Sequence, residues 1–376
     1  MTKLKLSVFF APNCLYLSVF RNLLMDIQKL LLDWYQNHKR NLPWRHTRDP
    51  YKIWVSEIIL QQTRIDQGLA YYLRFLQKFP DIQSLANADE EDVLSVWKGL
   101  GYYSRARNMH FSAKLIIDKF DGVFPAAYDD LILLKGVGQY TAAAIASICN
   151  HQAIPVVDGN VVRVFSRLFG VHEPAGSPNS QKTVFNLAQS LIPRSEPGEF
   201  NQAVMEFGAL HCKPANPLCE DCMLQKTCYA YEKGLTDKLP LKKKEVVTRN
   251  RFFNYICLVS ENKNIMMIKR TGNDIWRNLW DLPMTEADHL FSLGEMNANA
   301  DFRKFFNSVE DVQSHFFDFK HILTHQHIYA RYFIVKQDGI HPQLNSDEIR
   351  LVQNPHSDGL PIPRLTEKFL QKYFHF

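Results

Sequence analysis

Two acidic residues lie in apolar surroundings, where their carboxyl groups could do chemistry. Glu57 interrupts the apolar run 54–60, and Asp158 separates a short apolar run from a helical pattern that begins at Val161. Burial would make Glu57 a proton donor near neutral pH, whereas a solvated helix face would leave it an ordinary acid. Asp158 is either a helix N-cap or a carboxylate at the mouth of a cleft. Such a pair suits a reaction in which one acid protonates a leaving group and the other stabilises an oxocarbenium-like sugar.

Four of the seven cysteines crowd into one short stretch, with six, two and five residues between them: Cys212, Cys219, Cys222 and Cys228. Four thiolates at these intervals indicate a metal centre, and the spacing leaves zinc and an iron–sulfur cluster both open. The other three cysteines are isolated in the sequence. No disulfide framework is therefore expected, and a reducing compartment such as the cytoplasm fits.

Two glycine-containing stretches could approach a polyanion. Gly136 and Gly138 flank a valine between an apolar helical turn and the small-residue run 141–146, so a helical hairpin is predicted whose exposed amides could bind a phosphate. An ordinary helix–turn–helix corner is the alternative. The stretch 99–107 interleaves glycines, tyrosines and arginines, which suits either an aromatic core turn or a wedge that unstacks bases. Gln62 and Thr63 either cap a helix or contact nucleic acid.

Helical periodicity positions most of these residues. It runs from 26 to about 231, then a Pro- and Lys-marked break covers 232–249, and short β-like runs follow from 252. We therefore predict a helical domain at 25–231, a linker at 232–249 and a smaller α/β domain at 250–376. Residues 1–24 are interpreted as an extension before a start at Met25, since Pro12 interrupts an apolar segment too short to span a membrane. No membrane partner is expected.

Composition is that of an ordinary globular protein, with 46% hydrophobic and 22% charged residues over 376 positions. The net charge of +5 is compatible with a polyanionic partner without requiring one.

Taken together, the motifs resemble the adenine DNA glycosylases of the endonuclease III, helix-hairpin-helix superfamily, which remove adenine mispaired with 8-oxoguanine. The resemblance extends from about Met25 to the C-terminus. It rests on six motifs in family order: 42–45 (LPWR), 54–63 (WVSEIILQQT), 99–103 (GLGYY), 136–142 (GVGQYTA), 158–160 (DGN) and the four cysteines.

The resemblance implies a multidomain protein, with a two-lobed all-helical glycosylase domain that carries a [4Fe–4S] cluster and a Nudix-like α/β C-terminal domain. It implies that Glu57 protonates a flipped-out adenine and that Asp158 faces the anomeric carbon of its sugar. Tyr140 and Asn160 would assist this pair. The further implied roles are a base pocket at Trp44 and Arg45, DNA contacts at Gln62, Thr63, Leu100, Tyr102, Gly136 and Gly138, and lesion recognition at Thr324 and His325.

Departures from the family pattern bear on the C-terminal domain. The usual Phe-Ser-His signature appears as Leu323-Thr324-His325, and no glutamate cluster has the Nudix metal-binding spacing, so pyrophosphohydrolase activity is not expected.

Tyr140 stands where lyase-type relatives place a lysine, which argues against an endonuclease III-type enzyme for oxidised pyrimidines. A non-catalytic iron–sulfur DNA-binding protein is the other alternative, and the presence of both acids argues against it. The expected partner is double-stranded DNA with an adenine mispair, bound by a monomer.

Overall fold

The computed structural model describes residues 14–242, 248–305, 312–323, 325–336, 348–353 and 359–374. The chain divides into two compact units. The first combines Met1–Tyr72 with Leu115–Lys244, and the second combines Leu73–Lys114 with Glu245–Phe376. Among the described residues, no helix is both long and apolar enough to cross a membrane.

Helices form the first unit, as the periodicity predicts. They are α1 (Cys14–His38), a 3-10 turn (Pro43–Arg45), α2 (Pro50–Leu60), the start of α3 (Ile65–Lys78), the end of α6 (Ser104–Phe120), α7 (Tyr128–Leu131), α8 (Gln139–Cys149), α9 (Gly159–Phe169), α10 (Pro178–Leu191), α11 (Pro197–Leu210) and α12 (Tyr229–Glu232), with a second 3-10 turn (Gln225–Thr227).

Helix α11 organises this unit, because it packs against α1, α8 and α9. Its buried residues Phe200, Val204 and Phe207 join those of α9, such as Phe165, in one apolar core. Gly208 lets α11 approach the start of α9 closely, since a Cβ at this position would lie 2.7 Å from the Cβ of Asn160.

The second unit combines helices with a mixed sheet. Besides parts of α3 and α6, it contains α4 (Ile82–Ala86), α5 (Glu90–Trp97), β1 (Arg249–Val259), β2 (Ile265–Lys269), β3 (Trp280–Asp281), β4 (Met284–Ala287), α13 (Leu293–Ala298), β5 (Val312–Ile322), β6 (Gln326–Lys336), β7 (Ile349–Val352) and α14 (Arg364–Phe374).

The strand order of the sheet is β3-β2-β1-β6-β5, and β4 and β7 pair with β1 and β2, respectively. β1 and β6 are parallel, with Phe253 opposite Ala330, while β5 and β6 form an antiparallel hairpin. Both strands of the parallel pair are buried along most of their length, as continuous apolar runs require. The predicted change from helical to α/β structure is confirmed.

Within the second unit, α5 packs against the sheet through Glu91. Its carboxylate accepts a hydrogen bond from the Trp280 indole at 3.1 Å and another from Arg350 at 2.5 Å. Further along, the Ser95 hydroxyl donates to the Gly359 carbonyl at 2.6 Å and the Tyr103 hydroxyl donates to the Ile362 carbonyl at 3.3 Å. The segment that contains α5 is therefore fixed to the C-terminal part of the chain by side-chain hydrogen bonds.

Candidate active site

Glu57 lies on α2 among buried apolar neighbours. The helix begins at Pro50, with Asp49 as its N-cap, and buries most of its residues, including Trp54 and Ile58. The pKa of Glu57 is raised to about 7, chiefly because burial removes its hydration; a hydrogen bond from Tyr140 lowers the pKa, and the nearby charge of Asp158 raises it. Glu57 is therefore divided between its protonated and ionised forms near neutral pH.

Asp158 stands at the start of α9, one of the two placements that its sequence position allowed. It is the N-cap of α9, where one carboxylate oxygen accepts from the Val161 backbone N–H at 2.7 Å, and the other accepts from the Asn160 side-chain amide at 2.7 Å. Burial raises its pKa, and these two hydrogen bonds partly offset that effect. Asp158 also lies close enough to Glu57 for its charge to act on that carboxyl.

Asn160 is held in turn by Arg163, one turn further along α9. The Arg163 guanidinium donates to the Asn160 Oδ1 and to the carbonyl of Gly208, both at 2.7 Å, and to the carbonyl of Cys212 at 2.8 Å. The amide that orients Asp158 is therefore anchored to α11 and to the start of the cysteine-rich segment.

Tyr140 lies between the two acids and α11. Its hydroxyl donates to the Met205 Sδ at 3.5 Å, and it is close enough to Glu57 to lower the pKa of that carboxyl by hydrogen bonding. Burial and the charges of Glu57 and Asp158 raise the pKa of Tyr140 well above its usual range. The phenol thus keeps its single proton, which only one of its two neighbours can accept at a time.

The predicted hairpin is present between α7 and α8. Gly136 adopts φ 84°, which permits the reversal, and Gly138 is the N-cap residue of α8. A second turn, after α2, leaves Gln62 exposed with φ 56° and Thr63 half-buried.

Trp44 and Arg45 lie in the 3-10 turn before α2. Trp44 is buried and meets the ring of Tyr72 edge-on at 5.1 Å. Arg45 donates two hydrogen bonds, at 2.8 and 2.7 Å, to the carboxylate of Glu206, which also pairs with Arg40. Burial alone would raise the pKa of Glu206, but the hydrogen bonds from Arg40 and Arg45 lower it to about 2, so the Arg45 guanidinium is held by a permanent anion.

Leu100 and Tyr102 belong to the second unit and differ in exposure. Leu100 is 8% exposed, whereas Tyr102 is 45% exposed and adopts φ 48°. Arg105 lies over the rings of Trp97 and Tyr102 and donates to the Gly101 carbonyl at 3.3 Å. Of the two predicted DNA contacts, Tyr102 presents the accessible side chain.

All four clustered cysteines line one small cavity, whose other walls include Leu168, Phe207 and Leu224. The thiol pKa values of Cys219, Cys222 and Cys228 are raised. Burial is the largest cause, and the proximity of the other cysteines adds to it. Arg167 of α9 donates to the Cys212 Sγ at 3.3 Å. Within the described ranges, no three Cys, His, Asp or Glu side chains form a group that could hold a single metal ion.

Of the two predicted lesion-reading residues, the structure describes His325, which lies at the turn between β5 and β6. His325 is exposed, and its carbonyl accepts from the Arg249 backbone N–H at 3.2 Å. Leu323 closes the turn by donating its backbone N–H to the Gln326 carbonyl at 2.9 Å. Thr324 lies outside the described residues.

Sequence reasoning missed Met205, Glu206, Gly208 and Arg163. Glu206 carries the signal that identified Glu57, an acid inside an apolar helical pattern. Arg163 follows Asn160 at the i+3 spacing that places two side chains on one helix face. Met205 and Gly208 have no distinctive sequence signal, because their importance arises from the packing of α11 on α8 and α9.

Family models match both parts of the chain. Residues 55–194 match the HhH-GPD superfamily of base excision DNA repair proteins, and residues 254–372 match the NUDIX domain. Among solved structures, a thermostable thymine-DNA glycosylase is 31% identical and superposes with a TM-score of 0.52 over 57% of this chain and 97% of its own. An endonuclease III–DNA covalent intermediate, at 23% identity and a TM-score of 0.50, shares the fold. Fold and sequence together define a base excision repair DNA glycosylase.

Comparison with individual relatives identifies the family within this class of DNA glycosylases. The adenine DNA glycosylase of Buchnera aphidicola subsp. Schizaphis graminum is 33% identical over 345 residues, which cover 89% of this chain and 95% of that protein. The mouse adenine DNA glycosylase is 44% identical over 212 residues, or 54% of this chain and 41% of its own length. The chain belongs to the adenine DNA glycosylase family.

Proposed function

We propose that this DNA glycosylase hydrolyses the N-glycosidic bond of adenine mispaired with 8-oxoguanine in double-stranded DNA, and less efficiently of adenine opposite guanine. The observation that carries the proposal is the pairing of two carboxyl groups in different environments. The pKa of Glu57 is raised to about 7, while Asp158 accepts hydrogen bonds from Val161 and Asn160 that favour its anion. One acid and one anion are what departure of a base from a sugar requires.

Glu57 supplies the proton. A stacked adenine is inaccessible to a carboxyl group, so the nucleotide must first leave the helix. Protonated Glu57 then transfers its proton to a ring nitrogen of the adenine, and the electron pair of the N-glycosidic bond moves to the base as that bond breaks. The base leaves neutral, and Glu57 is left as a carboxylate.

Asp158 stabilises the positive charge that develops on the sugar. Its orientation is fixed because the backbone of Val161 and the amide of Asn160 occupy one oxygen each. Addition of water to the anomeric carbon, with loss of a proton to one of the two carboxylates, completes the hydrolysis and leaves an intact abasic strand.

The proposed reaction is monofunctional. A lyase needs an amine that forms an imine with the sugar, and the hairpin places a phenol, Tyr140, next to the two acids instead. Trapping with borohydride is therefore expected to give no efficient covalent adduct with DNA.

The four cysteines are proposed to hold a [4Fe–4S] cluster. Their common cavity and the largely apolar residues around it suit a buried cluster, and Arg167 provides a donor to one sulfur. A cluster there would tie α9 and the 212–228 segment together, and no step of the hydrolysis passes through it. Protein purified without air should contain iron and acid-labile sulfide, whereas stoichiometric zinc without sulfide would contradict this assignment.

Contacts with DNA and the lesion are proposed for residues of both units. Gly136 and Gly138 would contact the DNA backbone, and Gln62, Thr63, Leu100 and Tyr102 would enter the duplex near the lesion. Trp44 and Arg45 would line the base pocket. The β5–β6 turn with Thr324 and His325 would recognise 8-oxoguanine on the opposite strand, as loops on a rigid sheet commonly do. The active form is proposed to be a monomer.

One assay tests the central proposal. Purified protein is incubated with duplexes containing adenine opposite 8-oxoguanine, adenine opposite guanine, or thymine glycol, and abasic sites are then cleaved with hot alkali. Only the first two should be cleaved. Glu57→Gln should lose excision while it keeps its affinity for lesion DNA, and Glu196→Gln, which alters an exposed acid of the same unit, should behave as wild type. Near-normal excision by Glu57→Gln would refute the assignment.

A further inference from the structure

The Tyr140 hydroxyl has one proton and two acceptors within reach. One is the carboxyl group of Glu57, and the other is the thioether sulfur of Met205, 3.5 Å away on α11. A sulfur is a weak acceptor and carries no proton of its own. A protonated carboxyl group still accepts at its carbonyl oxygen, so the Tyr140 O–H turns to the sulfur only when the Glu57 O–H is itself directed at the phenol oxygen.

The two protonation states of Glu57 allow different arrangements of the Tyr140 hydroxyl. An ionised Glu57 can only accept, so Tyr140 donates to it. A protonated Glu57 can donate its own O–H to the Tyr140 oxygen, and the phenol proton then needs another acceptor. Met205 occupies the position where that acceptor is needed.

We propose that Met205 is a positioning residue that accepts the Tyr140 hydroxyl proton while Glu57 carries the proton destined for adenine. This inference rests on the proposed function, in which Glu57 is the acid. Once Glu57 has transferred its proton, the Tyr140 O–H rotates from the Met205 sulfur to the new carboxylate. No bond to carbon or sulfur forms or breaks in this rotation, and the proton stays on Tyr140.

Packing supports a fixed geometry at Met205. Its side chain packs against two apolar clusters, one containing Ala143 and Ala144 of α8 and the other the core residues of α9 and α11. The next residue, Glu206, is tied to Arg40 and Arg45. Met205 is therefore held on α11 next to Tyr140.

Asp158 is the other acid whose charge acts on Tyr140, and each of its two oxygens already accepts a hydrogen bond, from Val161 and Asn160. The groups that act on the Glu57 carboxyl are Tyr140 of α8 and Asp158 before α9. The 3-10 turn packed on α2 contributes Arg45, which is already paired with Glu206. A change at Met205 can thus act on Glu57 through Tyr140.

The test is the pH dependence of single-turnover excision by Met205→Leu, which keeps a similar volume without an acceptor. Loss of the acceptor disfavours protonated Glu57, so the pKa of Glu57 should fall. The alkaline limb of the profile should then move to lower pH by about 0.5 unit, which lowers the rate roughly threefold at pH values above the limb. The rate on the acidic plateau should stay near that of wild type. Met205→Gln, whose amide oxygen is a stronger acceptor, should keep the limb at or above the wild-type position.

Two further variants make the result decisive. In a Tyr140→Phe background, Met205→Leu should cause no additional shift, because its effect passes through the phenol. Met109→Leu, the same exchange at a buried position of α6, is the matched control. An unshifted limb, a uniform loss of rate at every pH, or a shift that persists without Tyr140 would overturn the proposal. If Glu57→Gln remained active, the proposed function itself would fail, and the two failures are therefore distinguishable.

Discussion

Raising the pH is expected to slow adenine excision, and replacing Tyr140 by phenylalanine is expected to move that loss to higher pH. Glu57 must be protonated to act, and its pKa is raised to about 7. The protonated fraction is then about nine-tenths at pH 6 and about one-tenth at pH 8, so the single-turnover rate should fall roughly tenfold between these values.

The Tyr140→Phe change removes a hydrogen bond that favours the ionised form of Glu57. Net contributions of hydrogen bonds to charged groups are about 1.5–3 kcal/mol, which corresponds to an upward shift in the pKa of Glu57 of about 1–2 units. The variant should therefore be slower than wild type on its acidic plateau, because the phenol is lost from the site, yet keep its plateau rate to higher pH. Met205→Leu should move the same limb in the opposite direction.

The assay is excision under saturating enzyme from a duplex with adenine opposite 8-oxoguanine, quenched in alkali, at pH values from about 5.5 to 9. Circular dichroism at each pH checks that the protein stays folded. A wild-type rate that is flat from pH 6 to pH 9 would refute a titrating Glu57. A limb that stays in place or moves to lower pH in Tyr140→Phe would refute the role of the phenol in setting the Glu57 pKa.

Three further predictions concern the same unit. Asp158→Asn should slow excision by about two to three orders of magnitude in single-turnover assays, because a neutral amide cannot offset the positive charge that develops on the sugar. Substantial activity would show that Asp158 acts only as the N-cap of α9. Glu57→Gln should raise the free energy of unfolding at pH 8 by about 1–3 kcal/mol, measured in urea titrations. The pKa of Glu57 is higher in the folded than in the unfolded protein, so ionisation of Glu57 destabilises the wild type as the pH rises from about 4.5 towards 7. The gain in the variant should therefore disappear below about pH 4.5. Gly208→Ala should lower the free energy of unfolding by about 1–3 kcal/mol and slow excision, because the new Cβ would lie 2.7 Å from the Cβ of Asn160. Gly294→Ala, with open space around the new Cβ, should be tolerated and serves as the control.

Sequence patterns predicted the parts of the site that depend on local chemistry. An acid inside an apolar helix, a carboxylate at a helix start and four closely spaced cysteines are each visible in a short window, and the structure places Glu57 and Asp158 together. The change from helices to a sheet near residue 250 is equally local, since it follows from a change in the period of apolar residues.

Contacts between distant helices could not be predicted in this way. Met205 is an ordinary apolar residue of an amphipathic helix until α11 is packed against α8, and Glu206 gains its partners only when the turn containing Arg45 lies against that helix. The burial of Leu100 next to an exposed Tyr102 likewise depends on the fold of its turn, which sequence periodicity does not describe.

The hydrogen bonds of Glu91 and Tyr103 affect how this enzyme can be dissected. Deletion of everything after Arg249 would remove not only the sheet but also Trp280 and Arg350, the partners of Glu91 on α5, and the Ile362 carbonyl, the partner of Tyr103. A truncated enzyme that lost its preference for 8-oxoguanine would then report both the missing turn at His325 and an unsupported Tyr102 loop. Chimeras between relatives separate these effects better if residues 73–114 are exchanged together with residues 245–376, because the exchange then follows the boundary of a compact unit and keeps its hydrogen bonds within one parent.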